Sequence, residues 1–161
     1  MDKVKEDYNF KTDIIVGEQG ESIIREDLET MGLKFIKDNK DNKYDIIMSS
    51  GSVTSSYEIK TDVFCKEKND TGNMFIEYDC RNKASGISVT EADWFVMYYP
   101  YLKKAYYIKI GELRNLIKYN NFRKATGSGD IGSNTKGYLI NRSAYERFFI
   151  IRNIDKNFVV H

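Results

Sequence analysis

The chain has 161 residues, of which 41% are hydrophobic and 30% charged; this is the length of one domain and the balance of a globular chain, not of a disordered or fibrous one. Its single histidine, His161, stands at the very end, which excludes Ser-His-Asp and Cys-His catalysis, zinc fingers and His-based metallohydrolases. The net charge of +1 divides unevenly: residues 1–100 hold 13 Lys and Arg against 20 Asp and Glu, and residues 101–161 hold 12 against 4, so the first stretch suits cations and the second polyanions.

No run of eighteen apolar residues occurs, so no membrane span is expected. The opening residues, Met1 to Asp7, have no apolar core of the kind a secretory signal needs. Two cysteines, Cys65 and Cys80, fall short of a disulfide framework and fit a reducing cytosol. A single domain over 1–161 with a cytoplasmic location is the expectation.

Residues 17–32 read as a helix, with Ile23, Ile24, Leu28 and Met31 near the 3.6 period and Gly32 as C-cap. Leu33–Ile36 is a candidate strand, followed by a polar turn from Lys37 to Lys43. Tyr44–Ser49 and Val53–Phe64 are predicted strands, and Met74–Cys80 a third. Thr90 with Asp93 suggests the start of a brief helical turn. Trp94–Tyr99 and Ala105–Ile110 are aromatic-rich strands separated by Pro100, and Gly111–Tyr119 reads as a helix. Residues 126–137, TGSGDIGSNTKG, form a glycine-rich loop that lacks the Lys of a P-loop and reads as a surface loop. A strand near Tyr138–Ile140, a helix near Arg142–Phe148 and an apolar end complete a mixed α/β pattern with a central sheet.

Composition becomes chemistry between Tyr44 and Lys60. A two-residue turn at Gly51-Ser52, with glycine first, is a favoured hairpin connection. Counting outwards from it, Ser50 faces Val53 and Asp45 faces Glu58; a slip to Ser50-Gly51 would set Asp45 against Ser56 instead. Alternation puts Glu58 and Lys60 on one face, with Tyr57 and Ile59 on the other. Two opposed carboxylates repel each other, so the pairing makes sense if a divalent cation lies between them. With oxygen ligands that cation is Mg²⁺, with Mn²⁺ able to replace it. The alternative is a solvated sheet face on which Glu58 and Lys60 merely pair.

Glu21 lies at the rim of the first helix's apolar stripe, where it can reach over the sheet to a metal or pair with Arg25 at i,i+4. Glu77 shares a strand face with Phe75 and Asp79, as a further ligand, a general base or a plain surface acid. Candidate nucleic-acid contacts are Arg81, Lys103, Lys104, Arg123, Lys124 and Lys136, with Lys109, Arg114 and Lys118 in the same basic half. Tyr99, Tyr106 and Tyr107 are nearby stacking candidates, although their strand positions favour core packing.

Gly17-x-x-x-Glu21, Leu28, Gly32, Asp45 and Glu58-Ile59-Lys60 together resemble the PD-(D/E)XK nuclease superfamily. The opening helix is similar to the archaeal Holliday-junction-resolvase branch. The stretch Phe75 to Arg81, with Ser85 to Ser88 and Thr90 to Trp94, resembles small phage-encoded members. The resemblance implies a restriction-endonuclease-like α/β core, a central mixed sheet flanked by helices. It implies that Asp45, Glu58 and the Ile59 carbonyl ligate Mg²⁺, that Lys60 acts on the attacking water, and that Glu21 helps to hold the metal. Tyr44 stands where the name-giving proline would be, and no later Gln or second Lys is evident. The implied activity is metal-dependent hydrolysis of DNA, with a homodimer expected by analogy and, for a phage gene, the host cytoplasm as its location. The alternatives are a binding module of the same fold that cuts weakly or not at all, and a nuclease acting on RNA.

Overall fold

The strand Trp94–Tyr99 organises the molecule because both of its faces are buried. In this computed structural model, which describes residues 2–39, 43–127 and 134–159, with side chains from Thr12 onward, the strands are β1 (Lys34–Asp38), β2 (Ile46–Ser50), β3 (Val53–Thr61), β4 (Asn73–Cys80), β5 (Lys83–Ala84), β6 (Trp94–Tyr99), β7 (Lys104–Lys109), β8 (Lys124–Thr126), β9 (Lys136–Asn141) and β10 (Ile150–Asn153). The helices are α1 (Asp2–Thr30) and α2 (Ile110–Tyr119). A mixed six-stranded sheet runs β1-β2-β3-β6-β7-β10, and a second sheet runs β5-β4-β9-β8. Within the first, β3 and β6 are parallel while the other neighbours are antiparallel. The chain is thus the α/β molecule with a central mixed sheet that its patterning indicates.

Alternation along β6 divides the core in two. Val96 and Tyr98 join Ile23, Ile24 and Leu28 of α1, with Ile46, Met48, Tyr57 and Ile59. Phe95, Met97 and Tyr99 face the other way, against Met74, Ile76 and Ile140 of the second sheet and Leu113 and Leu116 of α2. One face of the central sheet is therefore covered by α1 and the other by the second sheet with α2.

Several expectations are corrected. The first helix begins well before Gly17; among its described side chains there, Ile14 and Ile15 are exposed and Val16 is buried. Its end is as expected: Gly32, at φ +89°, donates to Glu29 O, and Leu33 N donates to Leu28 O, which together make a Schellman closure. The strand expected at Met74–Cys80 is present as β4 and lies in the second sheet. Thr90 starts no helical turn; it is buried, and its hydroxyl accepts from Ala92 N. No full helix forms at 142–148. Asn141 Oδ1 accepts from Ala144 N and the Ser143 hydroxyl, turning the chain locally, while the Arg142 side chain goes inward to Asp70. A single 3₁₀ turn follows at Glu146–Phe148, and the apolar end supplies β10. Most of the glycine-rich loop, residues 128–133, and His161 lie outside the described residues.

Candidate metal and catalytic centre

The hairpin between β2 and β3 closes through Gly51-Ser52, with Gly51 at φ +65° and Ser50 opposite Val53. The ladder runs on to Ile46 opposite Tyr57, and Asp45, one residue beyond β2, donates its N–H to Tyr57 O at 2.8 Å. The ladder ends there: Asp45 shares Tyr57 O with the last paired residue and turns out of register, so it does not pair with Glu58 as counting from the turn predicts. Asp45 then folds its carboxylate onto β3, where Oδ2 accepts the Ile59 N–H at 2.6 Å. A residue's N–H and C=O leave a strand on the same side, so the Ile59 carbonyl also points towards Asp45, past the end of β2.

Glu58 is 8% exposed. Its Oε1 accepts from Lys60 Nζ at 2.7 Å, and its Oε2 lies 3.4 Å from the buried Thr90 hydroxyl. Tyr57 and Ile59 pack under α1 while Glu58 and Lys60 take the opposite face, beside Phe95 and Met97 of β6. Glu58 is thus covered, while the Lys60 side chain that pairs with it is still 44% exposed.

Glu21 approaches from α1. With Asp45, Glu18, Asp38 and Arg25 it lines a cleft of about 390 Å³ at the sheet's margin. Burial pushes its pKa up to about 7, helped by the charge of Asp45 and opposed by Lys60. Arg25 instead pairs with Glu29 at 2.8 Å, so the i,i+4 partner considered for Glu21 is engaged elsewhere. Asp45 is pushed up to about 6, first by burial and then by Glu58, against the Ile59 N–H and Lys60. Around Lys60, burial alone would lower the pKa; the charge and hydrogen bond of Glu58, with Asp45 and Glu77, raise it on balance. The lysine is therefore a fixed cation among acids.

Glu77 arrives from the second sheet and lines, with Lys60, a second cleft of about 260 Å³. Four predicted acids and the lysine thus converge from α1, the β2–β3 hairpin and β4. Among the described residues no group of three acids, cysteines or histidines is gathered tightly enough to hold a metal as it stands. The donor chemistry nevertheless suits a hard cation. Asp45, Glu58 and the Ile59 carbonyl offer oxygens only; the pKa values of Asp45 and Glu21 are raised mainly by burial and secondly by a neighbouring carboxylate, and a bound cation would offset that second part.

Two contributors escaped sequence reasoning. Thr90 holds Glu58 Oε2 from the segment before β6, and its only sequence signal was read as a helix cap. Gly20, next to Glu21, lets α1 touch β3, which no spacing rule indicates.

The basic candidates are not gathered into one patch. Lys103, in a left-handed conformation, pairs with Asp155 at 2.7 Å. Lys104 lies opposite Tyr99, at the same end of the central sheet as Lys60. Arg81, at φ +54°, shares the β4–β5 turn with Asn82. Arg123 precedes the edge strand β8, Lys124 lies over the rings of Tyr78 and Tyr138, and Lys136 pairs in register with Asp79. Part of the charge asymmetry is internal: Arg142 pairs with Asp70, Arg152 with Asp27 and Lys156 with Glu26. Tyr99, Tyr106 and Tyr107 are buried and offer no stacking surface.

No family model matches the chain, and no curated protein matches it. Among solved structures, a bacterial homing endonuclease, I-Ssp6803I, is similar over 78% of this chain and 76% of its own, at 16% identity and a TM-score of 0.49. No helix among the described residues is long and apolar enough to cross a membrane.

Proposed function

We propose that this chain is a Mg²⁺-dependent nuclease of the PD-(D/E)XK kind that hydrolyses phosphodiester bonds in DNA. The observation that carries the proposal is the Asp45 carboxylate held on the Ile59 N–H, next along β3 to a buried Glu58 whose Oε1 holds Lys60 Nζ at 2.7 Å. The charge of Glu58 reaches Asp45 and raises its pKa, so a cation near both would be favoured.

Asp45, Glu58 and the Ile59 carbonyl would hold the cation, with Glu21 alongside. When bound, the ion supplies Lewis acidity at a phosphate oxygen and acidifies water. Lys60 remains charged in this surrounding, so it orients the attacking water and stabilises the negative charge that grows on the phosphate. Glu58 positions Lys60 through their ion pair, and Thr90 fixes the other oxygen of Glu58. The water gives up a proton to solvent as its oxygen bonds to phosphorus, the ester P–O bond breaks, and the departing oxygen takes up a proton from solvent.

The test offers linear, circular, branched and single-stranded DNA, and RNA, with Mg²⁺ or Mn²⁺. Wild-type protein cuts DNA and stops in EDTA, whereas folded Glu58→Gln and Lys60→Ala do not cut. Robust cutting by folded Lys60→Ala would refute the mechanism, and cutting in EDTA would refute the metal.

A further inference from the structure

The cleft on the second-sheet side of Lys60 is half charged and half aromatic. Lys60, Asp62 and Glu77 form one part of its lining, and Phe64, Phe75, Phe95 and Met97 the other. Phe64 is 73% exposed, more than any other large hydrophobic residue here except Tyr119. An exposed apolar residue is ordinary by itself; this one is held outwards by design of the local backbone. Asp62 Oδ1 accepts the N–H groups of Phe64 and Cys65, at 2.8 and 3.1 Å, and Asp62 N donates to Tyr98 O. Cys65, the next residue, is buried and anchors the chain on the inner side. The Phe64 ring has no place in either core cluster.

The opposite wall is shaped by glycines. A Cβ on Gly137 would lie 2.5 Å from Phe75 Cζ, and one on Gly127 2.9 Å, so the Phe75 ring is seated where no larger residues fit beside it. Gly86, at φ +52°, lies so close to Glu77 that a Cβ would meet its carbonyl oxygen at 2.3 Å. An apolar cleft with the Lys60 cation at one side, among Asp62 and Glu77, offers a surface for a base and a charge for a phosphate, the two halves of a nucleotide.

We infer that this cleft receives a nucleobase beside the phosphate held near Lys60, with Phe64 stacked on the base, so the preferred substrate is DNA with an unpaired or unstacked base. The inference rests on the nuclease reading and names its substrate class. A base inside a regular duplex has both faces covered and cannot meet the ring, whereas stacking on aromatic rings is a general means of holding single strands.

The experiment measures binding in Ca²⁺, without cleavage, of a single-stranded oligonucleotide and of its duplex to the full chain. Phe64→Ala should weaken single-strand binding about tenfold and change duplex binding less than about twofold. Phe64→Trp should keep single-strand affinity, and its added tryptophan emission, measured against the wild-type Trp94 background, should be quenched by the single strand. Unchanged affinity of Phe64→Ala with unquenched Phe64→Trp would overturn the inference. So would a change in the free protein's association state on Phe64→Ala, which would make the ring a contact between copies. If the Phe64 effects appear but no form of the protein cuts DNA with Mg²⁺, the base cleft stands and the hydrolytic reading falls. If wild-type protein cuts duplex and single strand alike and Phe64→Ala is indistinguishable from it, the nuclease stands and the cleft falls.

Discussion

Gly20 of α1 lies against Thr61 of β3 so closely that a Cβ on the glycine would fall 1.8 Å from Thr61 Oγ1 and 2.9 Å from its Cβ. The helix reaches the strand only because position 20 has no side chain, and the next residue along the helix is Glu21. Gly20→Ala should therefore lower stability, although alanine favours a helix by about 1 kcal/mol over glycine. Overpacking of this kind costs about 1–3 kcal/mol, so the net change is a fall in Tm of a few degrees, read by thermal unfolding. Gly20→Ala combined with Thr61→Ala should recover part of the loss; a Gly20→Ala protein as stable as wild type would show that the helix can slide freely.

The charge of Glu58 adds to burial in raising the Asp45 pKa, so the two carboxylates should cost stability in metal-free protein. Asp45→Asn removes one charge and keeps an oxygen for the Ile59 N–H. In EDTA its Tm should exceed that of wild type by a few degrees, consistent with relief of about 1 kcal/mol. Added Mg²⁺ or Mn²⁺ should stabilise wild type and do much less for the variant. Calorimetry on both proteins, with and without metal, decides it: a variant less stable in EDTA and equally stabilised by metal would separate the two carboxylates.

Stability without metal should also depend on pH in a direction opposite to ordinary acid denaturation. Glu21 and Asp45 titrate near 7 and 6 when folded, against 4.5 and 3.8 ordinarily. The folded state then binds protons that the unfolded state releases, so the contribution of these two groups to stability rises as pH falls from about 8, through the folded values, to about 4. Below the ordinary values both states are protonated and the gain is complete. Urea unfolding across this range in EDTA, for wild type and for Glu21→Gln, should show a flatter upper part in the variant. A wild-type profile that Glu21→Gln leaves unchanged would mean the helix acid is not crowded.

Binding to a phosphate backbone should be carried by cations that the fold leaves to solvent. Arg123 and Lys124 are exposed at the start of the edge strand β8. Replacing both with alanine should weaken DNA binding in Ca²⁺ for all sequences alike and flatten the slope of log K against log salt by about one to two units. An unchanged slope, followed by fluorescence anisotropy, would assign these two residues to surface alone.

The hairpin was legible because a glycine-first turn fixes register, and register fixes which residues face each other. Glu58 and Lys60 share a strand face for that local reason, whereas Asp45 leaves the ladder after Ile46 and reaches β3 through its side chain. Glu21 was legible as a rim position but not as a neighbour of Asp45, since that depends on Gly20 and on a contact across more than twenty residues. The second sheet was not legible: Met74–Cys80 has the pattern of any strand, and nothing in it shows that its partner is β9, more than fifty residues on. The helix expected at 142–148 failed because Arg142 spends its side chain on Asp70, and a tertiary ion pair of that kind leaves no periodic mark. The parallel β3–β6 pair was likewise set by long-range packing.

The clamp formed by Arg152 on Asp27, with both oxygens of the carboxylate taken and Tyr107 donating to one of them, spans 125 residues of chain. It joins the helix that carries Glu21 to the outermost strand of the central sheet. The helix is thus fastened twice, to β3 by the close approach of Gly20 to Thr61 and to the sheet's far edge by this clamp, so a change at residue 152 is felt in the element that carries Glu21.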